Sequence, residues 1–453
     1  MPPGDRRNAD TTKQLELAYA SAGQQSMKVF ISFDFNWWQT DQAVEIGEMI
    51  ARFAPRPAQL IVDNKVFAST FAGDGLDVPA LRAAAGIPLF FAPNFDPGLD
   101  LNVSSVDGLF NWMAWPHNGR NKAPTPHNNI SVGEGDQLYI NTLAGKAYIA
   151  REYSDPPNPG PFDAPCADRP KAVSPWFFTH FGPEVSYSKN WIFPADLLWY
   201  DRWREILAMQ PRFVEIVTWN DYGESHYTGS LHAPHTDNGA SKPHDGWATM
   251  AKPFIAAFKA GASSPDDYIT SDRLIYWYRP ALRGQDCDST DTCMAQANNR
   301  SGDYFLGRPD GWQSVRDSVF VVSLLRSPAS IQIGSGGSLY QYAAPAGASS
   351  HEAPMSPGEQ SFSISRDGTT ILAGVSLKPI IDGCVCGLYN FNAYGNPLIP
   401  KPAPGRSTIG STVDSENSFL PKDSFSFLGP HCQGISANIY LTGLNYEYYC
   451  ARS

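Results

Sequence analysis

The first 265 residues alternate between segments with helical spacing of apolar residues and short segments that are apolar throughout. Apolar positions three and four apart predict amphipathic helices at 11–22, 43–53, 78–85 and 197–209. Continuous apolar runs lie between them and predict strands at 27–33, 66–71, 87–92, 108–115, 146–150 and 213–218. Strands that are apolar on both faces are typical of a parallel sheet covered by helices on both sides.

This alternation predicts an α/β fold class, a (β/α)8-type barrel, for residues 1–265. Polar and aromatic residues collect directly after the predicted strands, at 34–38, 94–96, 115–117 and 219–224. Because barrels build their active sites from the loops that follow the strands, we expect the chemistry of this protein in those loops.

The pattern changes near residue 266. Short segments separated by Gly, Ser and Pro predict an all-β sandwich for residues 266–400, with strands in 274–278, 318–325, 331–336, 361–366 and 369–377. Residues 401–453 are rich in Ser, Pro and Gly, and we expect an irregular tail there.

Composition narrows the range of partners. The chain has 34 Lys and Arg against 45 Asp and Glu, a net charge of −11, whereas nucleic-acid binders need a basic surface. No apolar run approaches the roughly 20 residues of a membrane helix, so we expect no membrane partner. Aromatic residues reach 13% and can stack on the flat faces of sugar rings. We expect a monomer that needs no cofactor.

The cysteines give conflicting indications about the compartment. Six of the seven lie after residue 280, and Cys287 and Cys293 enclose a short polar loop that predicts a disulfide. A zinc site is the rival interpretation, but no CxxC pair or matching histidine spacing accompanies it. Cys166 is the expected unpaired thiol. Disulfides favour an oxidising compartment, whereas residues 1–14 show no signal-peptide pattern.

The most informative motif is the run WNDYGESH at 219–226, directly after the last predicted strand of the barrel. Asp221 and Glu224 lie three residues apart, and Gly223 allows a sharp turn between them. A loop of this kind can aim two carboxyl groups into one cleft. Glycoside hydrolysis needs such a pair, because one group protonates the leaving oxygen and the other activates water or attacks the anomeric carbon. The alternative interpretation is a turn or helix-capping pair.

A group of histidines and aspartates follows this motif. One interpretation is a metal-dependent hydrolase. The spacing fits no helical H-E-x-x-H motif, and Pro and Gly make the segment a loop, so we favour surface or sugar-binding histidines and expect no metal site. The group comprises His226, His232, His235, His244, Asp237 and Asp245.

Further candidates for substrate contacts are polar and aromatic side chains in the loops. Carboxylates and amides can bond to sugar hydroxyls, although loop aspartates more often cap turns or are solvated. About half of the tryptophans in such loops are expected to be core residues. The predicted substrate-binding residues are Asp34, Asp63, Asp74, Asn94, Trp115, Trp176, His180, Trp219, Asn220, Tyr222 and His226.

Several long runs resemble one known family. They include VFISFDFNWW, VFASTFAGD, GLFNWMAWP, SPWFFTHFG, VSYSKNWIFPADLLWYDRW, WNDYGESHY and SKPHDGW, in order between about residues 9 and 396. The sequence resembles the fungal α-1,3-glucanases (mutanases) of glycoside hydrolase family 71. The resemblance implies a (β/α)8 barrel followed by a β-sandwich, and endo-acting, inverting hydrolysis of α-1,3-glucan outside the cell or in the cell wall. It places the catalytic pair on Asp221 and Glu224, with Glu224 as general acid and Asp221 as base.

The chain departs from the family pattern at three places. It begins inside the first strand–helix unit, so we expect a barrel that lacks its first strands. An atypical Pro-rich insertion lies near 151–172, and the tail after about residue 420 has no counterpart in the resemblance. These departures leave open a non-catalytic glucan-binding protein from an incomplete gene model, and less favourably a metal-dependent hydrolase.

Overall fold

A computed structural model describes residues 6–99, 101–119, 122–143, 171–180, 189–211, 213–229, 243–291 and 307–398. The helices are α1 (Arg6–Gln24), α2 (Ala43–Phe53), α3 (Val78–Ala85), α4 (Val132–Leu143), α5 (Leu198–Met209) and α6 (Asp245–Lys259). The strands before residue 265 are β1 (Ile31–Asp34), β2 (Ile61–Val62), β3 (Lys65–Phe71), β4 (Leu89–Phe91), β5 (Lys171–Val173), β6 (Phe178–His180), β7 (Asn190–Ile192) and β8 (Val214–Ile216). Those after it are β9 (Arg273–Tyr278), β10 (Ser318–Leu325), β11 (Ala329–Ser335), β12 (Ser338–Ala344), β13 (Gly347–Pro354), β14 (Gln360–Arg366), β15 (Thr369–Val375) and β16 (Tyr394–Pro397).

The first sheet is built around β3. Strands β1 and β4 both run parallel to β3, with Ile31 opposite Ala68 and Val66 opposite Leu89, and β2 forms a short antiparallel hairpin with it. The residues that end β1 and β3 therefore meet at one edge of the sheet, where a parallel α/β sheet presents its functional loops.

Helices α2 and α3 pack closely on each other beside this sheet. A side chain at Gly47 would lie 2.4 Å from the Leu81 carbonyl oxygen, so the close approach of the two helices requires glycine there. Asp77 caps the start of α3 by accepting a hydrogen bond from the Ala80 N–H at 3.0 Å, and Gly86 ends the helix with a positive φ. The predicted bounds of both helices are confirmed, and these two caps explain those of α3.

The (β/α)8 barrel is not formed by the described strands. Strands β5 and β8 make a separate parallel pair, β6 and β7 make an antiparallel pair, and no described sheet before residue 265 closes on itself. The predicted strand at 108–115 is wrong, because the Asn111 side chain accepts a hydrogen bond from the Met113 N–H and turns the chain away from a ladder. The predicted strand at 146–150, most of the insertion at 151–172 and the tail at 401–453 lie outside the described residues.

Residues 273–397 form two antiparallel four-stranded sheets, in the orders β13-β10-β9-β16 and β12-β11-β14-β15. Alternate side chains of both sheets fill one core, which includes Tyr276, Val321, Ile333 and Phe362. A second hydrophobic core contains residues from both sides of residue 265, including Trp176 and Phe391. These two residues are also joined by a hydrogen bond, in which the indole N–H of Trp176 donates to the Phe391 carbonyl oxygen at 3.0 Å.

The predicted Cys287–Cys293 disulfide is wrong, because Cys287 is bonded to Cys384. The two cysteines are 97 residues apart and are brought together by the fold, so sequence proximity pointed to the wrong partner. Among the described residues, no helix combines the length and the apolar character that crossing a membrane would require.

A buried ion network fixes the helices on the β5–β8 pair. The Arg202 side chain on α5 is 1% exposed, and its Nη2 lies 3.1 Å from Asp136 Oδ2 on α4 and 3.1 Å from the Ala172 carbonyl oxygen on β5. The Asp136 side chain is equally buried and also accepts from the Asn111 amide at 3.1 Å. The two side chains thus form an ion pair in a place that water does not reach.

Arg202→Ala should lower the free energy of unfolding by about 3–5 kcal/mol, because it removes the buried cation that contacts the Asp136 carboxylate. Urea denaturation checks this value. Arg204→Ala, on the exposed side of the same helix, is the matched control and should change stability by less than about 0.5 kcal/mol. Equal losses in the two variants would contradict the role given to Arg202.

Candidate active site

The loop after β8 holds the predicted catalytic pair in a fixed turn. Its two arms are joined by hydrogen bonds from the Thr218 N–H to the His226 carbonyl oxygen at 3.0 Å and from the Gly229 N–H to the Trp219 carbonyl oxygen at 2.8 Å. Inside the turn, the Glu224 N–H donates to Asp221 Oδ1 at 3.1 Å. The turn-capping interpretation is therefore correct for Asp221 Oδ1, which accepts this hydrogen bond. Asp221 Oδ2 and both carboxylate oxygens of Glu224 have other contacts.

His226 brings the two carboxylates together. Its Nε2 lies 3.1 Å from Glu224 Oε2 and 3.3 Å from Asp221 Oδ2. One carboxylate oxygen of each acid and one ring nitrogen of His226 lie within 4.8 Å of one another. The imidazole is fully buried, stacked on Phe177 at an interplanar angle of 8° and packed against the edge of Trp115. The ring therefore lies beneath the carboxylates, on an aromatic floor.

Lys189 is the second basic partner of the pair. Its Nζ lies 2.6 Å from Glu224 Oε1, so Glu224 contacts a cation through one oxygen and His226 through the other. Both side chains are 21% exposed, which places the ion pair at the boundary between the core and solvent.

These contacts fix the charges of Glu224 and His226. Burial by itself would raise the pKa of Glu224, but the charge of Lys189 and the hydrogen bond from His226 outweigh it and lower that pKa to about 2. Burial by itself would lower the pKa of His226, but Asp221 and Glu224 outweigh it and raise that pKa to about 9. Glu224 is therefore an anion and His226 a cation throughout the neutral range.

Asp34, another predicted substrate contact, interacts electrostatically with Glu224. It ends β1, and burial raises its pKa, with a further contribution from the negative charge of Glu224. The backbone N–H of Asn36 donates to Asp34 Oδ1 at 2.9 Å and holds the carboxylate in place. The end of β1 is therefore close enough to the loop after β8 for the charges of Asp34 and Glu224 to interact.

Asn94 and Asp74 lie at the same edge of the first sheet, while Asp63 does not. The Asn94 amide donates to the Phe110 carbonyl oxygen at 2.8 Å and to the Tyr139 hydroxyl at 3.2 Å, and Asp74 Oδ1 accepts from the Asp96 N–H. Asp63 is exposed in the turn between β2 and β3, at the other end of β3. A seven-residue strand spans roughly 20 Å, so Asp63 is separated from the pair.

The tryptophans divide into buried and exposed rings. Trp115 and Trp176 are each 1% exposed, and the Trp115 N–H donates to the Trp176 carbonyl oxygen at 2.9 Å. Neither presents a ring face to solvent, because both are packed in the core. Trp219 is 66% exposed at the start of the catalytic loop and does present one. Its neighbour Asn220 is exposed, and Tyr222 packs on Tyr227 with ring centroids 4.9 Å apart.

His180 is a structural link between two parts of the fold. Its side chain is fully buried, with Nδ1 2.8 Å from Asn190 Oδ1 and Nε2 2.8 Å from Asp291 Oδ2. Asn190 is the residue after Lys189, so this contact braces the strand that presents the lysine.

Of the histidines in the alternative metal-site interpretation, the structure describes His226 and His244, and these two have different partners. His244 is buried, with Nδ1 2.8 Å from the Tyr227 carbonyl oxygen and Nε2 3.0 Å from Asn392 Oδ1. His232, His235 and Asp237 lie outside the described residues. Asp221, Glu224 and His226 have the donor types of a metal site, but Lys189 and the His226 cation already occupy the positions beside Glu224. An added divalent cation there would have to displace the proton of His226 and would meet the positive charge of Lys189.

A carboxyl pair at the end of a strand, beside an exposed tryptophan, fits a hydrolase that acts on sugars. Residues 4–403 match the model of glycosyl hydrolase family 71, and the chain belongs to that family, as its sequence motifs predict. It is 36% identical to a mutanase of Penicillium rubens over 411 residues, which cover 88% of this chain and 81% of that protein. It is 34% identical to a glucan endo-1,3-alpha-glucosidase of Schizosaccharomyces pombe, covering 85% and 84%, and 25% identical to an ascus wall endo-1,3-alpha-glucanase of the same yeast, covering 84% and 85%.

Lys189 is the site residue that the sequence analysis missed. It stands in the run SKNWIF, directly before the apolar strand β7. A lone lysine at a strand boundary is ordinary on a protein surface, and only the fold shows that it meets Glu224.

Proposed function

We propose that this protein hydrolyses internal linkages of α-1,3-glucan with Asp221 and Glu224 as its acid–base pair. The observation that carries the proposal is the geometry of the loop after β8, which brings the two carboxyl groups together around His226 Nε2. The family and the activities named for its relatives support the substrate and the endo mode of action. Both carboxylates come from one chain, so the reaction needs no second copy.

The surroundings of the pair suit a polysaccharide. The exposed face of Trp219 offers a stacking surface for a glucose ring beside the pair. Asp34, at the neighbouring edge of the first sheet, is placed to accept hydrogen bonds from sugar hydroxyls. Of the predicted contacts, Asn220 and Tyr222 lie on the same loop as the acids.

We propose inversion as the stereochemical course. An inverting pair needs about 6.5–9.5 Å between its carboxyl groups to admit a water, and a retaining pair about 5–5.5 Å. One carboxylate oxygen of Asp221 and one of Glu224 lie within 4.8 Å of each other, because His226 contacts both acids. These are the nearest oxygens, which lie closer together than the carboxyl groups themselves, and inversion requires the wider separation once the sugar is bound.

Two further features belong to the proposal. The parallel strands around β3 and the β5–β8 pair are the parts from which a (β/α)8-type catalytic unit would be built, ahead of the sandwich. The Cys287–Cys384 disulfide favours an oxidising environment, which fits an extracellular or cell-wall location.

Asp221→Asn and Glu224→Gln should each reduce the release of reducing sugar from α-1,3-glucan by at least about 100-fold, because each removes one half of the acid–base pair. Glu45→Gln, an exposed carboxyl change on α2, is the matched control and should keep the wild-type rate. Near-normal rates in both site variants would contradict the assignment. Wild-type binding to insoluble glucan without any turnover would instead support a glucan-binding protein.

Hydrolysis of a soluble α-1,3-linked oligosaccharide, followed by proton NMR from the first minutes, should show the β-anomer as the initial product, because inversion converts an α-linkage to a β-hemiacetal. Mutarotation then produces the α-anomer. Appearance of the α-anomer first would mean retention, and would fit the short separation between the carboxylates.

A further inference from the structure

The ion pair between Lys189 and Glu224 is anchored at both ends by backbone hydrogen bonds. The Glu224 carbonyl oxygen accepts from the Phe178 N–H on β6 at 3.0 Å. Strand β7, which follows Lys189, pairs with β6 through Phe178 and Ile192, and on its other side the Asp310 N–H donates to the Asn190 carbonyl oxygen at 3.0 Å. The lysine and the glutamate are therefore held across the same short ladder.

The two carboxyl groups of the pair have unequal partners. Glu224 contacts Lys189 at 2.6 Å and His226 at 3.1 Å, whereas Asp221 has an ion-pair contact only with His226, at 3.3 Å, among the described residues. Among the described residues, Asp34 at the end of β1 is a further charged group that interacts with Glu224. A general acid must carry a proton, and a carboxylate with a lysine and an imidazolium on its two oxygens holds one poorly.

We propose that Lys189 is a positioning residue that keeps Glu224 as the anionic base, and that Asp221 is the general acid. This inference rests on the proposed function and reverses the roles expected from the sequence. In the step it describes, Glu224 takes a proton from water as the water oxygen bonds to the anomeric carbon. The bond from that carbon to the bridging oxygen breaks, and Asp221 gives its proton to the departing oxygen.

His226 provides a route for returning the proton after each turnover. Its Nε2 can give a proton to Asp221 Oδ2 and then take one from Glu224 Oε2, since it lies within 3.3 Å of both oxygens. The net change is the addition of one water across the glycosidic bond, and the cluster returns to its starting protonation.

The first test compares the pH dependence of kcat/KM in Lys189→Met and Lys189→Arg. Removing the cation should raise the pH at which activity is lost on the acid side by at least about one unit, because Glu224 becomes easier to protonate. Lys189→Arg keeps the charge and should keep the wild-type profile. A Lys189→Met profile that overlays the wild type, or that falls equally at every pH, would overturn the role of Lys189.

A second test assigns the acid and base without relying on Lys189. An α-1,3-linked oligoglucosyl fluoride has a leaving group that needs no protonation, so loss of the acid should be tolerated and loss of the base should not. We expect Asp221→Asn to hydrolyse the fluoride at least about 10-fold faster than Glu224→Gln. The reverse order would overturn the proposal. Wild-type turnover of α-1,3-glucan, measured separately, tests the proposed function itself.

Discussion

One imidazole organises the site, because His226 Nε2 is the point at which the two carboxylates meet. Like charges at this distance repel each other, and only a cation between them makes their close approach favourable. The imidazolium is itself buried, and burial alone would lower its pKa and favour the neutral ring. The two acids therefore stabilise the charge on His226, just as that charge stabilises their close approach. Lys189 adds a second positive charge on the outer side of Glu224 and makes the two carboxylates unequal.

The rest of the fold holds this charged group in place. Phe177 and Trp115 form an apolar floor that fixes the plane of the imidazole, and the β6–β7 ladder fixes the backbones of Glu224 and Lys189. The sandwich also contributes, since the Trp176 indole donates to the Phe391 carbonyl oxygen. Packing in the β-rich half of the chain therefore supports the position of groups in the half that holds the candidate site.

The sequence predicts local structure well where local signals decide it. Helices α2 and α3 follow from their apolar periodicity and end signals, and the position of Asp221 and Glu224 follows from a strand that runs into a turn containing glycine. Prediction from the sequence fails where contacts between distant segments of the chain determine the structure. The partner of Cys287 and the contact between Lys189 and Glu224 come from the tertiary fold, and Trp115, which looks like a stacking platform in the sequence, is buried. An apolar run such as 108–115 fills a core without joining a ladder when a side chain such as Asn111 binds its own backbone.

The most direct measurement is a crystal structure of Glu224→Gln with a bound α-1,3-linked oligosaccharide. The account predicts an anomeric carbon between the side chains at positions 221 and 224, with a ring stacked on Trp219 and the bridging oxygen within hydrogen-bond distance of Asp221. An oligosaccharide bound elsewhere on the protein, or one whose bridging oxygen faces position 224, would contradict it.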